Sequence, residues 1–350
     1  MSIKIKSGFI YFLCEQDVLT NETFDYVKIG KTDYDRPVSD RIDDHQTGNP
    51  RKIVDHESFQ VVSIDTIETH LHHTFAKYRI LGEWFQMDKL TLREAIFEGK
   101  RVDQEINAQI KALTAATDAN DLESSKPERE ATMEELELLE KTIKSAEDLK
   151  RLQTKLACLK TGLVAEMGTA KGIEGILTYT EKARQPNFDE KLFKEEHPEK
   201  HARFQVEKTS LSRSFSLARN PRSTSELCSD WVTRSKEYKA KVEKESPFSA
   251  PTFKRNDMLE DLHEQYLKVI GEISRASIEK DMLEAQIKAA CGTAKGIEGV
   301  CSWNRIQKKT MAFSASILAE EDPELHLKYL VPRKPTPSLS VSLMRSYPFQ

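Results

Sequence analysis

Two stretches near the N-terminus, GFIYFL (8–13) and YVKIG (26–30), predict the strands around which the first hundred residues fold. Both are short runs rich in aromatic and β-branched residues, and the loop between them is polar and rich in Asn, Thr and Asp. Residues 53–63 alternate loosely between apolar and polar side chains and predict a third strand. GEWFQMD (82–88) predicts a turn followed by a short strand. We therefore expect a small sheet in this region.

Two helices are predicted between these strands. Residues 35–46 fit a short helix, with Pro37 near its start and the Gly-Asn-Pro run of residues 48–50 after its end. From Thr66 to Arg79, apolar residues recur at helical spacing as Ile67, Leu71, Phe75 and Tyr78. Residues 1–100 are therefore expected to form one α+β domain.

The composition limits the class of protein. Hydrophobic residues make up 38% and charged residues 31% of the 350, which is typical of a soluble, helix-rich protein with exposed linkers. The sequence has no apolar run of membrane-spanning length, and its N-terminal apolar run is too short for a signal peptide. Five scattered cysteines without CxxC spacing indicate reduced thiols rather than a disulfide framework or a structural zinc site.

The charge is distributed unevenly. The formal net charge is −4, and residues 1–100 hold thirteen Lys/Arg against seventeen Asp/Glu, which argues against tight DNA binding by this part alone. Residues 201–255 hold twelve Lys/Arg against six Asp/Glu. The basic run in this segment fits either a contact with phosphate or a solvated helix face, and it consists of Arg234, Lys236, Lys239, Lys241 and Lys244.

An internal repeat occupies the rest of the chain. The octapeptide GTAKGIEG occurs at 168–175 and again, without change, at 292–299, and the likeness extends to both sides of it. A long helical pattern precedes each copy, at 133–167 and at 256–290. An eight-residue identity of this kind indicates a duplication. Each repeat is predicted to run helix, glycine-bounded turn, strand, short helix, strand.

These patterns give a predicted division of the chain. We expect the α+β domain to be followed by two α+β repeats, each built from a long helix and a hairpin. Residues 114–132 are polar and acidic without periodicity and predict a linker. The predicted units are 1–100 (domain), 101–132 (helix and acidic linker), 133–245 (first repeat), 246–255 (linker) and 256–350 (second repeat).

Five motifs of the first domain, taken in order, resemble the GIY-YIG nuclease superfamily. They are GFIYFL, VKIGKT, RIDDH (41–45), ETHLH (68–72) and GEWF (82–85). The nearest pattern is the small phage-associated branch with K-I-G and G-E-W-F signatures. The resemblance implies a three-stranded antiparallel sheet with flanking helices, and a metal-dependent endonuclease activity toward DNA. It identifies Tyr11, Lys28, Arg41 and Glu68 as the matching site residues.

The chemistry of phosphodiester hydrolysis gives each of these residues a role. Glu68 could hold Mg²⁺ (or Mn²⁺) through one carboxylate while water and phosphate oxygens complete the coordination. Arg41 could donate two hydrogen bonds to phosphate. Tyr11 could pass or accept the proton of the attacking water if neighbouring cations lower its pKa, and Lys28 is the candidate for that lowering. Lys28 stands where the family usually has a tyrosine.

Two histidines complete the candidate set. His45 and His72 lie four residues after Arg41 and Glu68, on the same helix faces. His72 could orient the carboxylate, donate to phosphate or assist proton transfer. The alternatives are an ordinary sheet-core role for Tyr11, surface charges at Arg41, and an exposed Glu68–His72 pair. Zinc binding by His70, His72 and His73 is disfavoured because these side chains point in different directions on a helix.

The repeats show a second, weaker resemblance, to the tail of phage recombinase exonucleases of the YqaJ kind. It rests on the glycine turn, GIEG, a strand with Tyr179 or Trp303, and a later SxSLxR strand. The catalytic core of that family is missing upstream of both copies. The repeats are therefore expected to be a non-catalytic module for DNA placement or for self-association, as a homodimer through the long helices.

The sequence therefore predicts a metal-dependent DNA endonuclease, with DNA as its partner and no membrane association. The resemblance implies a cytoplasmic protein of a bacterium or of a phage in the bacterial cell. The alternative is a catalytically degenerate protein of phage or phage-defence origin that binds nucleic acid or protein, or that has a structural role. The acidic first domain and Lys28 motivate this alternative.

Overall fold

The computed structural model describes residues 3–243, 248 and 250–345. Its α+β class is as predicted. The first domain is built on one antiparallel sheet with the strand order β3-β1-β2-β5-β4. Its strands are β1 (Gly8–Gln16), β2 (Thr23–Asp33), β3 (Lys52–Val61), β4 (Arg79–Leu81) and β5 (Trp84–Gln86). The three long strands are the predicted ones. The sheet has five strands rather than three, because the hairpin β4–β5 adds to the free edge of β2.

Three helices cover this sheet, and they divide its two faces. The helices are α1 (Val38–Gln46), α2 (Ile64–Thr74) and α3 (Lys89–Ala108). Side chains of a strand alternate between faces. Ile10 and Phe12 therefore pack in the main core with Ile67 and Leu71 of α2. Tyr11 and Leu13 point to the other face, where residues of α1 pack against them.

Two helix boundaries differ from the prediction. The helix expected at 66–79 ends at Thr74, and a 3-10 turn, Ala76–Tyr78, leads into β4. Residues 114–120, predicted to be linker, belong to helix α4 (Ile110–Asn120), because Leu113, Ala116 and Ala119 recur at helical spacing and are buried. Only the later part of the predicted linker lacks a helix.

The first repeat begins with a helix of 35 residues, α5 (Met133–Met167). It continues with β6 (Gly172–Ile173), β7 (Leu177–Lys182), β8 (Asn187–Phe188), α6 (Glu190–Glu196), α7 (Pro198–Arg203), β9 (Gln205–Leu217), α8 (Thr224–Leu227) and α9 (Ser229–Glu243). Of the basic run predicted on this last helix, Lys244 lies outside the described residues.

The second repeat shares the core of this order, with a long helix, two strands, a pair of short helices and a final strand, but its additional short strand follows the pair of helices instead of preceding it. Its elements are α10 (Asp257–Cys291), β10 (Gly296–Ile297), β11 (Cys301–Phe313), α11 (Ala315–Glu321), α12 (Pro323–Lys328), β12 (Leu330–Val331) and β13 (Thr336–Val341). Both long helices end at a glycine with positive φ, Gly168 (59°) and Gly292 (54°). L-residues with a Cβ rarely adopt this conformation, so glycine suits these ends.

The two repeats exchange strands. Strand β9 of the first repeat pairs along its whole length with β11 of the second. In return, β13 of the second repeat pairs with β7 of the first, and β12 pairs with β8. The segments before the long helices also pair with the other repeat. Arg129, before α5, forms an isolated β-bridge with Ile297 of the second repeat, and Phe253, before α10, forms one with Ile173 of the first. Each repeat therefore completes the sheets of the other.

The long helix α10 joins the repeats to the first domain. It packs against α5, α4 and α2. The Oγ of Ser274 lies 3.2 Å from Nδ1 of His70, and Arg275 forms an ion pair with Glu105 at 2.5 Å. Gly271 allows the close approach, since a Cβ there would lie 2.9 Å from the Cα of Thr74. Among the described residues, no helix combines the length and the apolar character that crossing a membrane requires.

Candidate active site

Tyr11 lies across a glycine of the neighbouring strand. The register places Tyr11 of β1 opposite Gly30 of β2, and a Cβ on Gly30 would lie only 2.5 Å from the Tyr11 hydroxyl. The glycine of the K-I-G motif therefore provides the space that the ring occupies. Tyr11 is fully buried, and burial raises its pKa although the hydrogen bond and charge of Arg41 oppose this. The phenol is consequently neutral in this geometry.

Arg41 connects Tyr11 to the solvent. From helix α1 its Nε donates to the Tyr11 hydroxyl at 3.4 Å, and its Nη1 lies 3.0 Å from a carboxylate oxygen of Asp44. About a quarter of its side chain is exposed, whereas Tyr11 is not accessible. The predicted association of tyrosine and arginine is present, and the guanidinium is the accessible member of the pair.

Glu68 lies on α2 beside a lysine that sequence reasoning did not select. Lys31 Nζ is 2.8 Å from a Glu68 carboxylate oxygen and 2.5 Å from one of Asp65, so one ammonium group links two carboxylates. Burial raises the pKa of Glu68, and the hydrogen bond from Lys31 opposes that shift. Lys31 belongs to the VKIGKT motif, which was the signal available for finding it.

One open cleft brings the two halves of the site together. The cleft has a volume of about 450 Å³, and Lys31, Arg36 and Arg41 line it together with the acidic residues Asp33 and Asp35. Behind its wall lie Tyr11, bonded to Arg41, and Glu68, bonded to Lys31. With Lys6, which also lines the cleft, four cations lie on one concave surface, and such a surface can bind a phosphate group.

Lys28 faces the same side of the sheet as Tyr11 but has a different partner from the predicted one. The pairing of Leu13 with Lys28, two residues along from Tyr11 and Gly30, confirms the shared face. Lys28 is nearly buried, and its Nζ lies 2.6 Å from a Glu83 carboxylate oxygen. The prediction that Lys28 lowers the pKa of Tyr11 is wrong, because the opposing cation is Arg41 and Lys28 is neutralised by Glu83.

Glu83 is the electrostatic centre that sequence reasoning missed. Although its burial favours the neutral form, the hydrogen bond from Lys28 holds the pKa of Glu83 below its ordinary value. Glu83 is directly bonded to Lys28, and its charge affects the pKa of each of the other candidate residues of the site. Those residues are Tyr11, Arg41, His45, Glu68 and His72. The G-E-W-F motif contains this residue, but its partner is 55 positions away in the sequence.

The two histidines have different surroundings. His72 is buried, and its Nε2 donates to the Ile29 carbonyl at 2.9 Å, so this ring fixes α2 to β2. Within the described part of the chain, the buried Nε2 of His45 has no hydrogen-bond partner. Burial, together with the charges of Lys28 and Arg41, lowers the pKa of His45, so its imidazole is neutral at physiological pH.

A metal at this site would depend on Glu68. Among the described residues there is no group of three or more His, Cys, Asp or Glu side chains arranged to hold an ion. Glu68 and the nearby Asp65 are oxygen donors of the kind that Mg²⁺ prefers, and Mg²⁺ keeps several waters and is commonly held by one or two carboxylates plus phosphate oxygens. The residues present fit such an ion if Lys31 gives up its contact with the carboxylate.

Comparison with known families agrees with the position of this site. Residues 8–100 match the T5orf172 domain. This is a phage-associated domain often linked to nuclease-type folds. No curated protein and no solved structure matches the chain.

The T5orf172 match contains all the residues described in this site and ends within α3, before the repeats begin. It supports a phage-related nuclease-like or nucleic-acid-binding function for the first domain. The finer resemblance of the five motifs to GIY-YIG nucleases remains a prediction, as does the likeness of the repeats to YqaJ-type tails.

Proposed function

We propose that the chain is a metal-dependent DNA endonuclease that hydrolyses phosphodiester bonds at the cleft of its T5orf172-like domain. The observation that carries this proposal is the cleft itself. Arg41 and Lys31 line one concave surface, with the Tyr11 hydroxyl directly behind one cation and the Glu68 carboxylate directly behind the other. A phosphate in the cleft would contact the guanidinium and the ammonium group directly, with the phenol and the carboxylate immediately behind them.

The proposed roles follow from these contacts. Arg41 donates to the phosphate oxygens and stabilises the charge that develops when water adds to phosphorus. Tyr11 is buried behind Arg41, so its neutral hydroxyl would orient the attacking water and pass its proton on only after Arg41 turns to the phosphate, rather than acting as a phenolate. The neutral His45, with an unsatisfied ring nitrogen and an interaction with the charge of Arg41, is the proposed acceptor of that proton.

Glu68, with Asp65 beside it, would hold Mg²⁺ or Mn²⁺. Such an ion, when bound, would neutralise the charge on the phosphate and on the leaving oxygen. Lys28 and Glu83 act as positioning residues, because their half-buried ion pair helps to hold β2 beside β5 behind the cleft. A single domain of this kind makes one cut in one strand, so a double-strand cut would need two chains, and self-association is the proposed route to it.

Cleavage of supercoiled plasmid in the presence of Mg²⁺ or Mn²⁺ tests the proposal. Glu68→Gln and Arg41→Gln should each lower the rate by about 100-fold or more, since removing one stabilising group from such a site typically costs 10² to 10³. Tyr11→Phe, which removes only the hydroxyl, should lower it by a similar factor. Matched controls are Tyr34→Phe and Glu94→Gln, both on exposed side chains of the same domain.

One alternative has a specific observation in its favour. The carboxylates of Asp65, Glu68 and Asp44 are already paired with cations, and Tyr11 is buried, which are properties expected of a domain that binds without cutting. The full chain failing to cleave plasmid, single-stranded or branched DNA with either metal, while still binding DNA, would establish this second function. Cleavage that persists unchanged in Glu68→Gln would point to a contaminating nuclease and refute the proposed site.

A further inference from the structure

The exchanged strands form two arms that extend from the long helices. The first arm consists of β9 and β11, and the second consists of residues 177–186 and 332–341. Their inner ends belong to apolar clusters beside α5 and α10. Their outer ends meet in one separate cluster, here called the outer cluster, formed by Phe188, Phe193, Phe204, Phe313, Leu318 and Tyr329. The arms therefore run side by side between two packed regions.

The middle of the first arm is open on both faces. Residues 207–210 of β9 and 306–311 of β11 are exposed without interruption. Because consecutive strand residues point to opposite faces, such a run means that neither face of the ribbon is covered. The exposed part of β11 is about 20 Å long at roughly 3.3 Å per residue. Residues 181–186 and 332–337 of the second arm are exposed in the same way.

The arms are basic in an acidic protein. They hold nine of the 53 Lys/Arg and two of the 57 Asp/Glu, so the rest of the chain has 44 Lys/Arg against 55 Asp/Glu. The only acidic residues of the arms are Glu181 and Glu207. Such a separation of charge, with a concentrated excess of positive charge on two exposed ribbons, indicates a polyanionic partner.

Most of these cations have no carboxylate partner in the protein. Arg213 and Lys309 form ion pairs with Asp121 and Glu207, and Arg305 is buried. The other six make no ion pair with any carboxylate in the described segments; they are Lys182, Arg184, Lys208, Lys308, Arg333 and Lys334. Unpaired, exposed cations are available to contact phosphate without first breaking an internal bond.

One face of the first arm also carries hydroxyl groups. The register pairs Lys308 with Ser210 and Thr310 with Lys208, so these four side chains share a face. The ion pair between Glu207 and Lys309 lies on the opposite face. Lysine, serine and threonine side chains are the donors that proteins commonly offer to phosphate oxygens.

The second arm leads to the candidate active site. At the end of β13 and just after it, Val341 and Leu343 pack in the same apolar cluster as Ala76 of the first domain. The backbone N–H of Arg345 then donates to the carbonyl of Arg79 at 2.7 Å, and the charge of Arg79 acts on Glu68 and Glu83. A polymer lying along this arm would therefore be directed to the domain that holds the cleft.

We propose that the two arms bind double-stranded DNA through its phosphates and present it to the cleft. The delivery of DNA to the cleft rests on the proposed nuclease function, whereas the binding of DNA by the arms does not require cleavage. A two-stranded ribbon fits the major groove of B-form DNA, whereas the major groove of double-stranded RNA is too narrow. Single-stranded binding relies on exposed aromatic platforms. The aromatic residues of the arms are instead packed: Tyr179 on Phe248, Phe215 on Trp303 and Phe313 in the outer cluster.

The test is fluorescence anisotropy with a short labelled duplex, using the full chain with Glu68→Gln and a chelator so that cutting cannot interfere. The arm variant combines Lys182→Gln, Arg184→Gln, Arg333→Gln and Lys334→Gln. Each lost phosphate contact removes about 0.9 from the slope of log affinity against log salt, so this slope should fall by about 3 to 4 and the affinity at low salt by about 100-fold. A second variant, Lys208→Gln with Lys308→Gln, should lower the slope by about 2.

The matched control removes four exposed lysines from helices α5 and α9, with Lys141→Gln, Lys144→Gln, Lys236→Gln and Lys239→Gln. It has the same loss of charge and should bind DNA almost as the parent does. Equal loss in the arm variant and the control, loss in the control alone, or tighter binding of a single strand than of the duplex would each overturn the proposal. Because the substituted side chains are exposed, an unchanged melting temperature should verify that each variant is folded. DNA binding that depends on the arms without any plasmid cleavage would leave the arms supported and the nuclease proposal refuted.

Discussion

The contact between Tyr11 and Gly30 gives the sharpest test of how the first domain positions its tyrosine. In Gly30→Ala, the added methyl group would lie 2.5 Å from the Tyr11 Cζ and hydroxyl oxygen and 2.6 Å from Cε2, whereas ordinary contacts of a Cβ begin at 3.4 Å. The ring must therefore move by about 0.9 Å, or the strands must separate. Gly30 has an ordinary negative φ, so the effect is one of packing and not of backbone strain.

The expected cost follows from the fact that Tyr11 cannot move freely. Its ring is fully buried in a cluster with Leu13 and Ile53, and overpacking of such a site typically costs 1 to 3 kcal/mol. We expect Gly30→Ala to lower the free energy of unfolding by about 2 kcal/mol, measured by urea denaturation of the full chain. The plasmid cleavage rate should also fall by about 100-fold, because a displacement of this size moves the hydroxyl away from Arg41.

A double-mutant cycle separates this explanation from a general weakening of β2. Tyr11→Leu removes the ring atoms that the methyl group would meet, so Gly30→Ala should cost much less in the Tyr11→Leu chain than in the parent. The coupling energy should be about 1 kcal/mol or more. An equal cost of Gly30→Ala in both backgrounds would refute the argument that the glycine exists to accommodate the tyrosine.

Three further predictions concern other contacts. Glu98→Gln should lower the free energy of unfolding by about 2 kcal/mol at neutral pH, because hydrogen bonds from His70 and Arg101 hold the pKa of Glu98 at about 2. Since this pKa is depressed, the difference in the free energy of unfolding between the parent and the variant, measured by urea denaturation, should disappear as pH falls from about 4.5 to about 2. Arg305→Met should destabilise the chain by about 2 to 4 kcal/mol, because the buried guanidinium of Arg305 donates hydrogen bonds to the carbonyls of Ala119 and Gly292. Limited proteolysis should then cleave the backbone within residues 121–132 faster in the variant, and an unchanged cleavage rate would contradict the prediction. Lys31→Met should tighten Mn²⁺ binding, followed by electron paramagnetic resonance, by about 10-fold through removal of the cation on Glu68, whereas weaker binding would show that no metal uses this carboxylate.

The first domain was largely predictable from its sequence because its signals are local. The strands at 8–13, 26–30 and 53–63 appear within one to several residues of their predicted bounds, and the stripe that begins with Ile67 and Leu71 is buried as expected. The short strand predicted in GEWFQMD is present as β5, but its partner β4 was not predicted and begins at Arg79, the last residue of the segment expected to be helical. Each of these strands has three residues; β5 pairs with β2, and β4 pairs with β5.

The exchange between the repeats was beyond the reach of sequence reasoning. The duplication predicts two similar units but cannot say whether a strand pairs with its own copy or with the other, because both copies present nearly the same edges. The packing of α5 against α10 favours the exchange, because it brings the glycine turns of the two repeats, and the strands that follow them, close to each other. The long helices, expected as a surface for a homodimer, already contact each other within one chain.

The candidate site shows the same limit. Tyr11, Arg41 and Glu68 were identified through ordered motifs, but their immediate partners were not, since ion pairs across strands depend on register. Lys31 and Glu83 were both inside quoted motifs, yet nothing in the sequence says that one bonds Glu68 and the other bonds Lys28. Burial was equally hidden, and it decides that the phenol and the two imidazoles of the site are neutral.

These pairings explain how an acidic domain could accept a nucleic acid. In the structure, Arg41 bonds Asp44 and Lys31 bonds both Asp65 and Glu68, so each cation of the cleft is neutralised from within. On the proposed mechanism, the phosphate and the divalent ion arrive together and exchange these partners. Arg41 and Lys31 turn to the phosphate while Glu68 and Asp65 turn to the ion, and Asp44 keeps its ion pair with Arg36. The site would then bind DNA weakly without the metal, and the attraction that brings DNA to it would have to come from elsewhere in the chain, which is where the six unpaired cations of the arms lie.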